Sequence, residues 1–373
     1  MGVGLLMGLV GAEIGLRLLG IEPERYPPPL WLGWDGDRFR PLAEFGGWGN
    51  GVYKNHSRFA NLGVDGGEHI AGTRFRVEYA TNPRGYFDEG RGITYEINRQ
   101  GLHGPEVAEV KPAGTFRILG IGDSFTFGQG VCEEDTFLRR LDRSLNANGS
   151  SGHRYEVLNA GVQGYDTHDE VVHLEHQWLA YDPDLVLIGF YLNDAYEEMT
   201  FWNHGGGLGI YALPKGLARY SRLYDLIRQR QIALDSQRKL EEIYEQPYFT
   251  QADEFFAHSS SRQQGWTKGR AALRRAAELS QNDGFSLVLV IFPELHNLDG
   301  DYPFSAVHQV VRQEAAEAGM LVLDLLETYG GHDDRSLWVH PSDHHPNERA
   351  HALAADAIET FLFERQLLPD SAK

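Results

Sequence analysis

Four stretches of the chain carry residue types whose order and spacing could do chemistry. The first is Gly122-Asp123-Ser124-Phe125-Thr126-Phe127-Gly128, directly after an apolar run. A serine just past a buried strand and at the start of a helix can point its hydroxyl into a site. Its own N–H and the helix N-terminus can then stabilise an oxyanion. The fourth stretch is His340-Pro341-Ser342-Asp343-His344-His345-Pro346-Asn347. In extended chain, residues two apart share a side. Asp343 can therefore hold His345 in the tautomer that accepts a serine proton, while His344 faces away. Between them lie Asn159-Ala160-Gly161-Val162-Gln163-Gly164-Tyr165 and Tyr191-Leu192-Asn193-Asp194. A glycine lets a backbone N–H come close to a reacting oxygen, and the Asn193 amide can donate a second hydrogen bond. The set matches what nucleophilic catalysis by a serine requires.

Each stretch has a plainer reading. Ser124 could simply cap a helix, and Asn193-Asp194 could be a turn. The histidine-rich stretch could be an exposed loop, or a metal site of His340, Asp343 and His344. Two other motifs are excluded. Thr126 stands where the Gly-x-Ser-x-Gly elbow needs glycine, and no Gly-Lys-Ser/Thr ending marks a phosphate loop.

The elements that must position these residues are legible from Thr115 onward. Five short, near-continuously apolar runs read as parallel strands covered on both faces: 116–121, 155–158, 185–190, 285–292 and 321–323. Helical patterns separate them over 134–146 and 267–280, and a last helix carries Leu353, Ala354, Ala357, Ile358, Phe361 and Leu362. The class is α/β, an open sheet with crossover helices, whose site falls at the carboxyl ends of the strands. All the candidate loops but the last directly follow a strand. Residues 195–284 read as an insertion over the site, with a Gly-rich loop at 205–207 and a helical stretch containing Leu217, Tyr220, Leu223, Tyr224 and Ile227. Aromatic residues gather there and beside the third stretch: Tyr191, Tyr196, Phe201, Trp202 and Tyr211. They form either the insertion's own small core or a surface for sugar rings and acyl chains.

Upstream, residues 30–112 read as a small, irregular β-rich extension without a chemical motif. Arg74–Tyr79 and Ile93–Ile97 alternate with period two and read as strands paired across a loop. Residues 1–21 are apolar but interrupted by Glu13 and Arg17, and no basic n-region precedes the apolar run. About 20 clean apolar residues are expected of a spanning helix. Three readings stay open: an anchor whose first residues precede this sequence, a poor signal segment, or a buried or amphipathic helix. The chain has 373 residues and a net charge of −19, which leaves no basic surface for displacing counterions from a nucleic acid. Its one cysteine, Cys132, excludes a disulfide framework and a cysteine-rich zinc site.

The four stretches, in order over roughly residues 113–365, resemble the blocks of the SGNH/GDSL hydrolase superfamily: Gly122-Asp123-Ser124, Gly164, Asn193, and His345 in Asp-x-His-Pro-Asn. Tyr191 departs from the glycine usual in the third block, and Asp343-x-His345 is one residue shorter than the common spacing. The chain also resembles a bacterial subgroup with an N-terminal hydrophobic anchor ending in an acidic residue and Leu-Arg-Leu-Leu-Gly, followed later by a segment like Ile97–Gly104.

The resemblance implies a flavodoxin-like three-layer α/β/α fold around a five-stranded parallel sheet. It divides the chain into an anchor or signal-like segment (1–22), the β-rich extension (23–112) and the hydrolase domain (113–366, insertion about 195–284). It implies acyl transfer without metal or organic cofactor. Ser124 would be the nucleophile, His345 the base and Asp343 its orienter. The N–H groups of Ser124 and Gly164 and the Asn193 amide would form the oxyanion hole. The expected substrate is a small-molecule or glycan ester, such as an acetyl ester of a carbohydrate or cell-envelope molecule. The expected setting is the extracytoplasmic face of a membrane, in the periplasm or cell envelope. Two rival expectations use the same fold: a polysaccharide O-acetyltransferase, and a non-catalytic envelope binding protein.

Overall fold

The structure, a computed structural model, describes residues 2–21, 28–45, 51–54, 57–64, 67–147, 154–194, 215–244, 252, 255–256 and 265–369. The expected Gly-rich loop at 205–207 and the aromatic residues Tyr196, Phe201, Trp202 and Tyr211 lie outside the described residues.

The first sheet is antiparallel. It contains β1 (Leu30–Trp34), β2 (Phe39–Pro41), β3 (Arg74–Glu78) and β4 (Gly92–Glu96), in the order β2-β1-β3-β4. The expected pairing of the two alternating strands occurs, with Phe75 opposite Tyr95 and Val77 opposite Ile93. β1 and β2 form where the sequence reads as irregular loops. Leu30-Trp31-Leu32-Gly33-Trp34 has no alternation, and its strand character comes from pairing with β3, Leu32 against Arg76. The buried core of this sheet contains Phe75, Val77, Tyr79, Ile93 and Tyr95. It also contains Phe127 from the short helix after residue 123, Val162 and Tyr165 from the loop after residue 159, and Val339 from the segment beside His340. The extension is thus packed on the loops in which the candidate residues lie.

The second sheet is parallel: β5 (Thr115–Gly122), β6 (Arg154–Asn159), β7 (Leu185–Phe190), β8 (Ser286–Ile291) and β9 (Leu321–Asp324), in the order β6-β5-β7-β8-β9. Each strand ends within one residue of where the apolar runs place it. Alternate residues of β7 and β8 face opposite layers. Val186, Ile188, Leu287 and Leu289 meet the helices Thr167–His176, Gly265–Asp283 and Ser305–Glu317 through Leu174, Leu273, Ala276 and Val311. Leu185, Leu187, Val288 and Val290 meet Phe137–Ala147 and Glu348–Glu364 through Leu141, Ala354 and Ile358. All six residues of β7 are buried, which explains why the run shows no polar alternation. The result is a flavodoxin-like α/β/α fold with five parallel strands. A short antiparallel hairpin follows, β10 (Trp338–His340) and β11 (Asp343–Pro346).

Near the N-terminus, the helix Gly2–Leu18 packs against the helix Arg222–Tyr244. Glu13 accepts hydrogen bonds from the N–H groups of Arg222 (3.0 Å) and Leu223 (2.9 Å) and from the Ser221 hydroxyl (2.8 Å). These are donors that a helix start leaves without intrahelical acceptors. They and Arg17, which bonds Glu13 at 2.6 Å, hold the Glu13 carboxyl down to about 2, the Leu223 N–H contributing most. Arg17 also donates to the Tyr220 carbonyl at 2.7 Å. The two charges that interrupt the apolar run are therefore both used in contact with residues 220–223, at and just before the start of the second helix. Among the described residues no helix is long and apolar enough to cross a membrane.

Candidate active site

Ser124 stands at the turn where β5 ends. The Asp123 carboxylate accepts the Phe125 N–H at 2.8 Å and so caps the short helix Ser124–Phe127. That helix stops at Gly128, which takes a left-handed φ of 88°. Gly122 admits the turn: a Cβ there would fall 2.0 Å from the Thr126 hydroxyl. On the other side, β11 carries Asp343 and His345 on one face and His344 on the other, where His344 stacks on Trp338 at 3.5 Å. Asn347 anchors the end of β11. Its side chain accepts the Arg349 and Ala350 N–H groups at the start of the last helix and donates to the Ser336 and Trp338 carbonyls.

These elements bring three expected residues into one hydrogen-bonded chain. Ser124 Oγ lies 2.8 Å from His345 Nε2, and His345 Nδ1 lies 2.5 Å from Asp343 Oδ1. An ionised carboxylate only accepts, so Nδ1 carries the proton and Nε2 is left to accept the serine hydroxyl. Burial alone would raise the Asp343 carboxyl. The His345 charge and hydrogen bond, with the Tyr79 hydroxyl and the His345 N–H, outweigh it and bring the group down to about 2. Burial pushes the His345 imidazole down, and the Asp343 charge and hydrogen bond reverse that, so the net direction is up. His340, Asp343 and His344 do not converge as a metal set would. His340 bonds Thr81 and Ser342, away from the His344–Trp338 stack, and no metal-binding group of three is found among the described residues.

Asn193 lies beside Asp123: its amide, with the Phe125 N–H and the His345 charge, counters the burial that pushes the Asp123 carboxyl up to about 6. Gly164 sits on an exposed turn closed by the Tyr165 N–H to the Val162 carbonyl, with φ of 81°. No hydrogen bond to Ser124 or His345 is formed by Gly164 among the described residues. The glycine that packs against the helix Ser124–Phe127 is Gly161, where a Cβ would meet the Phe127 nitrogen at 2.4 Å. The Gln163 carboxamide of this loop is held from the extension by Tyr53 (2.8 Å) and His69 (2.9 Å).

Residues 121–353 match the GDSL-like lipase/acylhydrolase family. The chain belongs to that family. It is an ester-cleaving hydrolase of the GDSL class. No curated protein matches the sequence. Among solved structures, a two-domain esterase (CEX) active on acetylated mannans is similar at 16% identity and a TM-score of 0.42, covering 70% of this chain. This hydrolase spans about half of that esterase, 52%. TesA is similar at 16% identity and a TM-score of 0.42, covering 68% of this chain and 99% of its own. An acetylxylan esterase from Geobacillus stearothermophilus, Axe2, solved as a catalytic mutant, is similar at 16% identity and a TM-score of 0.38, covering 69% of this chain and 96% of its own.

In this GDSL hydrolase Tyr191 replaces the glycine usual before Leu192-Asn193. Its ring is buried and stacks on Phe125 at 4.0 Å, its N–H donates to Asp194 at 2.6 Å, and its hydroxyl donates to Glu294. Behind Asp123 the carboxyls of Glu170 and Asp194 are buried together. Burial pushes both well above the usual carboxylate range, helped at Glu170 by the charges of Asp194 and Asp123 and at Asp194 by that of Asp123. Among the described residues neither Glu170 oxygen has a hydrogen-bond partner. Two residues beside Asp343 carry no local sequence signal of that contact. Tyr79 donates to Asp343 Oδ2 at 2.7 Å, and the Gln129 carboxamide lies 3.5 Å from the same oxygen and 3.3 Å from His345 Nδ1. The period-two alternation places Tyr79 on a buried face without marking its hydroxyl. No signal marks Gln129.

Proposed function

We propose that this GDSL hydrolase is a serine esterase in which Ser124, His345 and Asp343 form the catalytic triad. Ser124 Oγ attacks the ester carbonyl carbon as its proton passes to His345 Nε2. The tetrahedral oxyanion is stabilised by the N–H groups of Ser124 and Gly164 and by the Asn193 amide. Collapse breaks the bond to the alcohol oxygen, which leaves with the proton from His345. Water, deprotonated by the same imidazole, then releases the acid from the acyl-serine. Asp343 holds the imidazole and offsets its positive charge. The observation that carries this reading is the hydrogen-bonded chain from Ser124 through His345 to Asp343. Treating the full chain with an activity-based fluorophosphonate tests it. A phosphonyl adduct on Ser124, absent in Ser124→Ala and strongly slowed in His345→Ala, is the expected result. No adduct on the folded protein would overturn the reading.

The substrate we propose is an acetyl ester of a carbohydrate or cell-envelope molecule, met at the extracytoplasmic face of a membrane to which the N-terminal segment is anchored. Support comes from the N-terminal helix. Its Met7, Val10, Ile14 and Leu18 are exposed, Glu13 is engaged with the start of the helix Arg222–Tyr244, and Arg17 bonds Glu13 and the Tyr220 carbonyl just before that helix. The exposed apolar side is thus left without an unpaired charge. Flotation of the full chain with phospholipid vesicles, lost on deletion of residues 1–21, is the expected outcome. Acetate release from an acetylated glycan, measured with and without an unacetylated acceptor, separates hydrolysis from transfer.

A further inference from the structure

We infer that Tyr79, contributed by the N-terminal extension, is a positioning residue of the active site, acting through Asp343. The inference rests on the triad reading above. A carboxylate offers two oxygens, and His345 uses only one. Its Nδ1–H and its backbone N–H both bond Asp343 Oδ1, at 2.5 and 3.2 Å. The second oxygen is buried with the rest of the residue, which is 4% exposed. Apart from Tyr79, that oxygen has among the described residues only the long contact from the Gln129 carboxamide, at 3.5 Å, and a buried carboxylate oxygen so weakly held is costly and free to turn about the Cβ–Cγ bond. The Tyr79 hydroxyl donates to that oxygen at 2.7 Å. A phenol has a single proton to donate, and here it is aimed along the carboxylate edge opposite His345. The pair of bonds fixes the plane of the carboxylate, and with it the direction of the imidazole.

Tyr79 is itself held from both sides. Its ring stacks on Phe87 at 4.5 Å and 4°, and lies 5.2 Å from His340. Its N–H donates to the Arg91 carbonyl at 2.9 Å, directly after β3 ends. The same segment grips the hairpin carrying the acid and base at further points. Thr81 bonds His340 at 2.9 Å, and Arg84 donates to the Val339 carbonyl at 3.1 Å and pairs with Glu348. The extension thus serves as the outer wall of the acid–base pair. Charged or titratable groups acting on Tyr79 are Asp343, Tyr95 and Arg84, and those acting on His345 include Asp343, Asp123 and Glu294. Substituting Tyr79 by phenylalanine alters none of them directly except Asp343.

The test uses the full chain, p-nitrophenyl acetate across a range of pH, and fluorophosphonate titration to count working sites, so that kcat refers to folded enzyme. Tyr79→Phe keeps the ring and its stack. A hydrogen bond to a charged group lost at this position predicts a fall in kcat of about 10- to 100-fold, with KM unchanged. The acid limb of kcat/KM moves to lower pH, because a carboxylate free to turn stabilises the imidazolium less. Tyr86→Phe removes a hydroxyl from the same extension that bonds Asp135 and the Cys132 N–H instead, and leaves that limb in place. A Tyr79→Phe enzyme with kcat within twofold of wild type and an unmoved acid limb overturns the inference. Should Tyr79→Phe yield no titratable site, Phe87→Leu decides. It keeps the hydroxyl but frees the ring, so the limb shifts the same way by less, and an unmoved limb overturns the inference. Failure of wild type to label ends the triad reading. Labelling with an indifferent Tyr79→Phe ends only this inference.

Discussion

Ser124 sits between two buried carboxylate sites that end in opposite states. On one side Asp343 is buried yet meets His345, Tyr79 and Gln129, and its carboxyl falls to about 2. On the other, Glu170 is buried at 1% exposure with no partner for either oxygen among the described residues, near Asp194 and Asp123, and its carboxyl rises. Burial acts in the same direction on both. Donors make the difference: a carboxylate with positive hydrogen-bond partners stays charged in the interior, and one facing other carboxyls keeps its proton. The charged site can stabilise a developing imidazolium. The proton-holding side lies behind Asp123, which caps the nucleophile helix, and can stay neutral there.

Neutralising the charged site should have the largest effect. Asp343→Asn removes the charge with little change of shape, and we expect kcat to fall by about 10⁴-fold, through loss of the correct imidazole tautomer. Fluorophosphonate labelling should slow in parallel. Next in size is Asn193→Ala, beside Asp123, which should lower turnover by ~10²–10³-fold if its amide reaches the oxyanion. An effect confined to stability would return Asn193 to a purely structural role. The pH–rate profile comes third. Because Asp343 raises His345, the protonated, inactive base persists to a higher pH than an ordinary imidazole of about 6.5. The acid limb of kcat/KM should therefore lie above that value, and a limb below it would contradict the pairing.

The smallest expected effects concern stability. Asp343 has a depressed folded-state value, so its contribution is present above its unfolded value of about 3.9 and is lost as pH falls through about 2. Glu170 has a raised one. Its contribution is fully present below about 4.3 and is lost as pH rises through the folded-state value. Glu170→Gln, which cannot ionise, should therefore gain stability over wild type as pH rises. Denaturant melts at pH 5 and pH 9 read this directly. A gain of equal size at both pH values would mean that packing, and not the proton, is responsible.

Much of this site is legible in the sequence because its parts are local. Asp343 and His345 are two apart on an extended strand, so their shared face follows from backbone geometry. Ser124 follows a strand whose unbroken apolar run announces burial on both faces. The choice of glycine in the second stretch is less local. Gly161 and Gly164 look alike in sequence, and only the approach of Phe127 to Gly161 separates their surroundings. β1 is equally hidden, since its strand character depends on a partner more than 40 residues away, Leu32 lying opposite Arg76, and β2 in turn forms on β1. The interruption of the apolar N-terminus by Glu13 and Arg17 was visible, and its meaning was not, because Ser221 and Leu223 lie over 200 residues away.

Periodicity and local spacing encode the parallel sheet, the order of its strands along the chain, and Ser124, Asp343 and His345 as candidates for the proposed triad. Packing between distant elements supplies the further partners of Asp343. Tyr79 and Asp343 are separated by 264 residues, and a hydrogen bond across that distance leaves no trace in local pattern. Whether a buried carboxylate meets donors, as Asp343 does, or other carboxyls, as Glu170 does, is set by packing between elements. That contact fixes its charge.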